Sequence, residues 1–187
     1  MKDKYIFLGD SLTFGYGVRK KENWLSLLNE SCNIEVINEG VNGNTTTDML
    51  YRLSDVLTNP ASNIFIMGGT NDLLSNRTID SILLNIELII KESLASGKKV
   101  VLGIPPDIIP GDANKLFIPS LTYNYCHDEL PKLKDILIEL CTKMNIPYIN
   151  FYDITKNNKD NHIYLDGINF NPAGQKMLFN QSYSFFK

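Results

Sequence analysis

The sequence predicts an α/β protein of three layers, in which a five-stranded parallel sheet carries helices on both faces. Short apolar runs alternate along the chain with segments of helical hydrophobic spacing. That alternation is typical of a parallel sheet covered on both sides. Because crossover connections between parallel strands are right-handed, few strand orders remain, and we expect the flavodoxin-like order 2-1-3-4-5. The 187 residues fit a single domain, residues 1–187.

Apolar runs mark the expected strands, and helical patterns lie between them. The strands are predicted at residues 5–8, 34–38, 63–67, 99–103 and 147–151. Helical spacing marks residues 25–28, 49–57, 79–94 and 130–144. Pro131 should lie in the first turn of its helix or at a kink. A last helix should begin at Pro172, with Asn171 as its N-cap.

Composition excludes several classes of function. The 18 lysine and arginine residues are scattered and the net charge is -3, whereas a nucleic-acid-binding protein would carry a basic cluster. Cys32, Cys126 and Cys141 have no CxxC spacing, so neither a zinc site nor a redox motif is expected. No apolar segment reaches the roughly 20 residues that span a bilayer. We therefore expect a cytoplasmic protein without stable membrane insertion, and leave its oligomeric state open.

The first strand runs into a turn whose residues can carry chemistry. Gly9-Asp-Ser-Leu12 follows the apolar run directly, and the glycines Gly15 and Gly17 come shortly after. In an open α/β sheet, ligands bind where the carboxyl ends of the strands open into loops. Ser11 is therefore a candidate nucleophile. The alternative is an ordinary strand-to-helix turn, in which Ser11 only caps the next helix.

Three further polar, glycine-containing turns lie on the same edge of the predicted sheet. They are residues 38–46, 68–72 and 166–172. Together the turns suit acyl transfer, in which a serine attacks an ester carbonyl and forms a tetrahedral oxyanion. That charge needs two or three preorganised donors, which the N–H groups of Ser11 and Gly43 and the Asn71 amide could supply. Gly43 could instead serve a positive φ, and Asn71 a local turn.

These blocks resemble the SGNH hydrolase family, also called GDSL esterases and lipases. Gly9-Asp-Ser-Leu12 matches the nucleophile block, Gly43 the second block and Gly69-Thr-Asn-Asp72 the G-x-N-D block, while Asp166-Gly-Ile-Asn169 stands where the family has D-x-x-H. The resemblance implies that Ser11 is the nucleophile, that Ser11, Gly43 and Asn71 form the oxyanion hole, and that Asp166 orients the histidine. It also implies a small-molecule acyl or acetyl ester as substrate, and no metal or organic cofactor.

Asn169 occupies the position of the family's catalytic histidine. A neutral amide has no basic lone pair at physiological pH, so it can neither take the Ser11 proton nor return it to the leaving alcohol. The sequence therefore predicts an inactive or very weak hydrolase. Asn169 is either a substitution made to silence turnover or a natural departure from the family. In both cases it could hydrogen-bond Ser11 in the histidine's place.

The sequence offers two other histidines and two other functions as alternatives to this interpretation. His162 lies in a polar loop and is expected to be exposed, although the loop could bring it near the site. His127, near the start of a helix, is expected at the surface or in a cap. The alternative to a hydrolase is a non-catalytic module that binds an acylated or carboxylate ligand, with Asn169 as a hydrogen-bond donor. A nucleotide binder is disfavoured, because residues 9–17 match neither G-x-G-x-x-G nor the Walker pattern.

The substrate pocket is expected from residues on the same edge of the sheet. Residues 104–119 form a long irregular piece, and such loops in compact domains are usually functional. Its apolar side chains could line an acyl pocket or simply anchor the loop in the core. Substrate contacts are predicted for Asp10, Thr13, Asn42, Ile108, Phe117 and Ile168.

Overall fold

A computed structural model of the chain describes residues 2–158 and 162–187. Its strands form one five-stranded parallel sheet in the order β2-β1-β3-β4-β5, which confirms the predicted topology. The strands are β1 (Asp3–Gly9), β2 (Ile34–Gly40), β3 (Asn63–Met67), β4 (Lys99–Ile104) and β5 (Tyr148–Asn150). Since all of them run in the same direction, their carboxyl ends open at one edge of the sheet.

Helices pack on both faces of this sheet. They are α1 (Ser11–Phe14), α2 (Trp24–Ser31), α3 (Thr46–Tyr51), α4 (Leu53–Leu57), α5 (Thr70–Leu74), α6 (Ile79–Ala95), α7 (Pro110–Leu116), α8 (Thr122–Met144), α9 (Tyr152–Lys156) and α10 (Pro172–Phe186), with a 3₁₀ turn at Lys20–Glu22. Successive side chains of a strand point to opposite faces. Ile6 and Leu8 therefore join a core with α3, α4, α6 and α8, whereas Phe7 joins a second core with α2 and α10.

Three features of the helices differ from the expectation. The helical pattern at residues 49–57 is divided at Arg52 into α3 and α4. Residues 104–119 were expected to be irregular but contain α7, which starts at Pro110, where the missing N–H sacrifices no helical hydrogen bond. Pro131 lies inside α8 rather than in its first turn, because α8 begins at Thr122, well before the apolar pattern does.

Two expectations drawn from composition concern the three cysteines and membrane-spanning segments. Cys32, Cys126 and Cys141 are free thiols in the interior. Burial raises the pKa of the Cys141 thiol to about 12, so this side chain is neutral and unreactive at physiological pH. Among the helices of the described residues, none is long and apolar enough to cross a membrane.

Contacts on two sides hold α1, the short helix that carries Ser11. Trp24 is fully buried, and its indole Nε1 donates to the carbonyl oxygen of Leu12 at 3.0 Å. On the other side, the backbone of Phe14 lies directly on Gly40 at the end of β2. A Cβ atom at position 40 would come within 2.3 Å of the Phe14 nitrogen. Glycine at this position therefore permits the close approach of α1 to β2.

We expect Gly40→Ala to destabilise the fold, because the added methyl group can be accommodated only by moving the backbone of α1. Overpacking of this kind costs about 1–3 kcal/mol, and urea unfolding should show a free energy of unfolding lowered to that extent. Gly111→Ala is the matched control, since nothing lies within 4 Å of a Cβ atom at position 111 in α7. It should be neutral or stabilising by up to about 1 kcal/mol. Equal effects of the two substitutions would contradict the packing argument.

Candidate active site

Ser11 lies at the exit of β1 and is the first residue of α1. Asp10 caps this helix, because its Oδ1 accepts a hydrogen bond from the N–H of Leu12 at 2.9 Å. Ser11 itself is half-buried. The strand-to-helix turn anticipated from the sequence is therefore present, and the capping role belongs to Asp10 rather than to Ser11.

The turn after β2 carries the second predicted oxyanion donor. Gly43 has a φ of 78°, in the left-handed region that glycine tolerates. The N–H of Asn44 donates to the carbonyl oxygen of Val41 at 3.1 Å and closes the turn. Within residues 2–158 and 162–187, the N–H groups of Ser11 and Gly43 donate to no backbone acceptor. No backbone acceptor within these ranges therefore competes with a ligand oxygen for either group.

The Asn71 amide joins these two turns. Its Nδ2 lies 3.0 Å from the carbonyl oxygen of Asn44 and 3.5 Å from Asp10 Oδ2. Since Asn44 follows Gly43 and Asp10 precedes Ser11, one side chain draws together the three segments that carry the predicted oxyanion donors. The contact with Asp10 is at the upper limit of hydrogen-bond length, so it is the contact that a ligand oxygen could replace at the smaller cost.

Asp72, the next residue of the same block, fastens α5 to α3. It is fully buried and accepts hydrogen bonds from the N–H and the hydroxyl of Thr46 at 2.8 and 2.7 Å. Nη1 of Arg77 lies 3.4 Å from its Oδ1. This anchor was not predicted from the sequence. Its only signal is the charged residue in the G-x-N-D block, because no local spacing connects Thr46 with Asp72.

Two carboxyl groups, those of Asp10 and Asp72, are therefore buried close enough to influence each other. Burial raises the pKa of Asp10 to about 7; the hydrogen bond from the Leu12 N–H opposes this rise and the nearby Asp72 adds to it. Burial also raises the pKa of Asp72. Near neutral pH a large fraction of Asp10 is therefore uncharged, which lowers the electrostatic cost of placing an oxyanion next to it.

Asp166 orients residue 169 in the loop before α10. Its Oδ1 accepts the N–H of Asn169 at 2.6 Å, and its Oδ2 accepts the Asn169 Nδ2 at 2.8 Å. The Oδ1 of Asn169 is buried and has no hydrogen-bond partner among the described residues. The bond between Asn169 and Ser11 that the sequence suggested is thus not made through this oxygen. The loop meets the Ser11 turn through Leu165, whose side chain fills the space beside Gly17.

The two histidines lie in different surroundings. His127 is half-buried in α8, and its Nδ1 lies 2.8 Å from Oδ1 of the buried Asp107. It therefore pairs with an interior carboxyl group, whereas the sequence suggested a surface or capping residue. His162 is exposed and has a φ of 47°, in agreement with the loop position expected for it.

The residues predicted to contact a substrate fall into two groups. Three are buried, so that contact with a ligand would require the surrounding loops to move: Asp10, Thr13 and Ile108. Three are exposed or half-buried on the same edge of the sheet: Asn42, Phe117 and Ile168. All six assignments stay predictions.

A cleft of about 800 Å³ opens beside α1, along the edge strand β2 rather than along residues 104–119. Its volume suits a small-molecule ligand. The sequence contained no signal for it, because its walls come from four elements, α1, the 3₁₀ turn, α2 and β2, that only tertiary packing brings together. The lining combines apolar side chains with polar and charged ones. The apolar residues are Phe14, Val18, Leu25 and Val36, and the polar and charged ones are Lys20, Lys21, Asn23, Ser26, Asn29, Glu30 and Asn38.

A parallel α/β sheet in the order 2-1-3-4-5, with a serine at the exit of its first strand, has the fold of the GDSL hydrolases. Residues 7–177 match the profile of the GDSL-like Lipase/Acylhydrolase family, and the chain belongs to that family. An arylesterase from Vibrio mimicus is 31% identical over 114 residues, which cover 56% of this chain and 57% of the arylesterase. The chain thus spans little more than half the length of this relative.

Two solved structures share the fold over nearly the whole chain. A member of the lipolytic protein G-D-S-L family from Veillonella parvula DSM 2008 superposes with a TM-score of 0.85 at 22% identity, covering 98% of this chain and 97% of that one. The lipase/acylhydrolase from Enterococcus faecalis superposes with a TM-score of 0.79 at 24% identity, covering 100% and 98%. At these identities the likeness concerns the fold.

We expect Asp10→Asn to change the pH dependence of stability. The carboxyl group titrates near 3.8 in the unfolded chain and near 7 in the folded one, so the folded protein holds an extra proton between these values and loses stability as the pH rises through them. The amide keeps the helix cap but does not titrate. Relative to the unmodified chain, the variant should gain up to about 4 kcal/mol in the free energy of unfolding between about pH 4 and pH 7.

Urea unfolding at several pH values measures this difference. Asp48→Asn is a control of opposite sign, because hydrogen bonds from Thr45 hold the pKa of Asp48 below its ordinary value. The unmodified chain gains stability from that carboxylate as the pH rises above its folded-state pKa. The free energy of unfolding of Asp48→Asn should therefore fall below that of the unmodified chain as the pH rises. Parallel stability curves for the unmodified chain and Asp10→Asn would show that Asp10 is not held in a neutral form.

Proposed function

We propose that this chain is a serine-dependent hydrolase scaffold for acyl or acetyl esters of small molecules, in which Asn169 stands in place of the catalytic base and turnover is weak or absent. Ser11 is the nucleophile and Asp166 the acid that orients residue 169. The N–H groups of Ser11 and Gly43 and the Asn71 amide form the oxyanion hole. Membership of the GDSL-like Lipase/Acylhydrolase family and the likeness to an arylesterase support this reaction class.

The contacts of the Asn71 amide are the observation that carries the proposal. Hydrogen bonding to the Asn44 carbonyl and to Asp10 holds this amide in place before any substrate arrives. An oxyanion hole accelerates acyl transfer because its donors are already oriented when charge develops on the carbonyl oxygen. The N–H groups of Ser11 and Gly43, which donate to no backbone acceptor among the described residues, complete a set of three donors.

The base is the part that is missing. Asn169 cannot accept the Ser11 proton at physiological pH, and Asp166 is already engaged by the backbone and the side chain of Asn169. Loss of a triad member in a serine protease costs on the order of 10⁶ in turnover and leaves roughly 10³–10⁴ over water from the oxyanion hole and binding. Residual hydrolysis is therefore the most that we expect of the unmodified chain.

A second candidate function, binding without turnover, is favoured by the carbonyl oxygen of Asn169. This oxygen is buried and lacks a partner among the described residues, and an unsatisfied buried acceptor costs about 1–3 kcal/mol. A ligand hydroxyl or N–H at this point would offset that cost. The sequence suggested Asn169 as a donor to the ligand, but its Nδ2 donates to Asp166, so the group that it offers is an acceptor.

We expect Asn169→His to create a competent hydrolase, because an imidazole can carry the Ser11 proton to the leaving alcohol. With short p-nitrophenyl esters near neutral pH, kcat/KM should rise by at least about 10³-fold over the unmodified chain. Labelling of Ser11 by a fluorophosphonate should accelerate in parallel, since it also requires an activated serine. Release of p-nitrophenolate and the intact mass of the labelled protein measure the two effects.

Ser11→Ala in the Asn169→His background is the control for nonspecific hydrolysis and should abolish both gains. Asp166→Asn in the same background should lower turnover by about 10⁴-fold, as loss of the orienting acid does in a serine protease. An Asn169→His protein that is folded, by circular dichroism and urea midpoint, yet hydrolyses no faster than the unmodified chain would rule out the silenced hydrolase and leave the binding function.

A further inference from the structure

Arg52 separates α3 from α4, and its side chain reaches back to the turns around Ser11. The side chain is only 19% exposed. Its Nε donates to Asn44 Oδ1 at 2.8 Å, and its Nη2 donates to the carbonyl oxygens of Glu39 at 2.7 Å and Gly9 at 3.1 Å. Nη1 lies 3.5 Å from the Glu39 carboxylate. One guanidinium group therefore ties together the end of β1, the end of β2 and the turn after β2.

The carbonyl contacts fix the two strand ends at which the site begins. Gly9 closes β1 and is followed directly by Asp10 and Ser11. Its carbonyl oxygen accepts hydrogen bonds from Arg52 and from the N–H of Val41, the latter at 3.0 Å. A shift of β2 along β1 at this edge would break both bonds. The guanidinium group thus keeps the strand of the nucleophile in register with the turn that follows β2.

The contact with Asn44 bears on the oxyanion donors themselves. Asn44 is held from two sides, by Arg52 at its side chain and by the Asn71 amide at its carbonyl oxygen. The preceding residue, Gly43, is exposed, and nothing lies within 4 Å of a Cβ atom built there. Packing therefore does little to place Gly43, and the position of its N–H depends on the hydrogen bonds to Asn44.

We propose that Arg52 is a positioning residue for the oxyanion hole: it acts by holding Asn44, and through Asn44 the Gly43 N–H and the Asn71 amide. This inference rests on the proposed function. Arginine suits the position because its planar guanidinium group donates in several fixed directions at once. A lysine would keep the positive charge but not this geometry.

The kinetic test compares Arg52→Lys and Arg52→Met in the Asn169→His background. Misplaced oxyanion donors weaken binding of the transition state more than binding of the ester. Arg52→Met should therefore lower kcat by about 10²-fold, the typical effect of losing one oxyanion donor or of a small misplacement, while KM changes much less. Arg52→Lys should retain more activity than Arg52→Met. Added methylguanidinium should restore part of the kcat of Arg52→Ala.

Lys98→Met is the matched control for the loss of a buried cation. Lys98 is 7% exposed, and its Nζ donates to the carbonyl oxygens of Asn59 and Ala61, both at 2.8 Å. It lies just before β4, at the opposite edge of the sheet. This variant should be destabilised but should keep its kcat. Equal losses of kcat in Lys98→Met and Arg52→Met, or an Arg52→Met effect confined to KM, would overturn the proposal.

A second measurement is independent of hydrolysis and uses the chain with Asn169. In amide NMR spectra, Arg52→Met should shift the Gly43 and Asn71 side-chain resonances and speed hydrogen exchange at the Asn44 N–H by at least about tenfold, whereas Lys98→Met should not. If these changes occur and Asn169→His shows no hydrolysis, the proposed function fails while the role of Arg52 in placing this turn stands. If they do not occur, the role of Arg52 is overturned even where hydrolysis is restored.

Discussion

The parallel pairing of β1 with β2 and β3 is the constraint on which the site depends. Because the three strands run in the same direction, the turns that carry Ser11, Gly43 and Asn71 open at one edge of the sheet. Two apolar cores, one on each face, hold the sheet in place and so hold the turns together. An antiparallel neighbour would carry its turn to the opposite edge, and no set of side chains could repair that separation.

Strand pairing brings the turns close, and buried or half-buried polar contacts hold them in place. Asn71 joins two of the turns, Asp72 holds Thr46, and Arg52 holds Asn44. Buried polar and charged groups are costly unless they are hydrogen-bonded, and these groups are. These costly groups therefore lie where the proposed acyl transfer would need fixed dipoles.

Asn169 can make the hydrogen bonds that hold its loop, but it cannot transfer a proton. Two hydrogen bonds to Asp166 hold residue 169 in place, and an amide makes such bonds well. Proton transfer requires a nitrogen that titrates near neutral pH, which an amide lacks. The same residue can therefore preserve a loop and remove a reaction. Its buried Oδ1 has no hydrogen-bond partner among the residues that the structure describes.

By itself the sequence determined the sheet order, the edge on which the polar turns lie and the family, because periodicity and block spacing are local properties of a chain. It missed α7 and the start of α8, since an apolar pattern marks where a helix is buried and not where it begins. Only the tertiary structure decided that Arg52 and Asp72 hold the turns, that Asn169 offers an acceptor and that the cleft lies beside β2. Most of these depend on contacts between residues that are separated in the chain, and the acceptor of Asn169 depends on the orientation of its amide against Asp166; hydrophobic periodicity encodes neither.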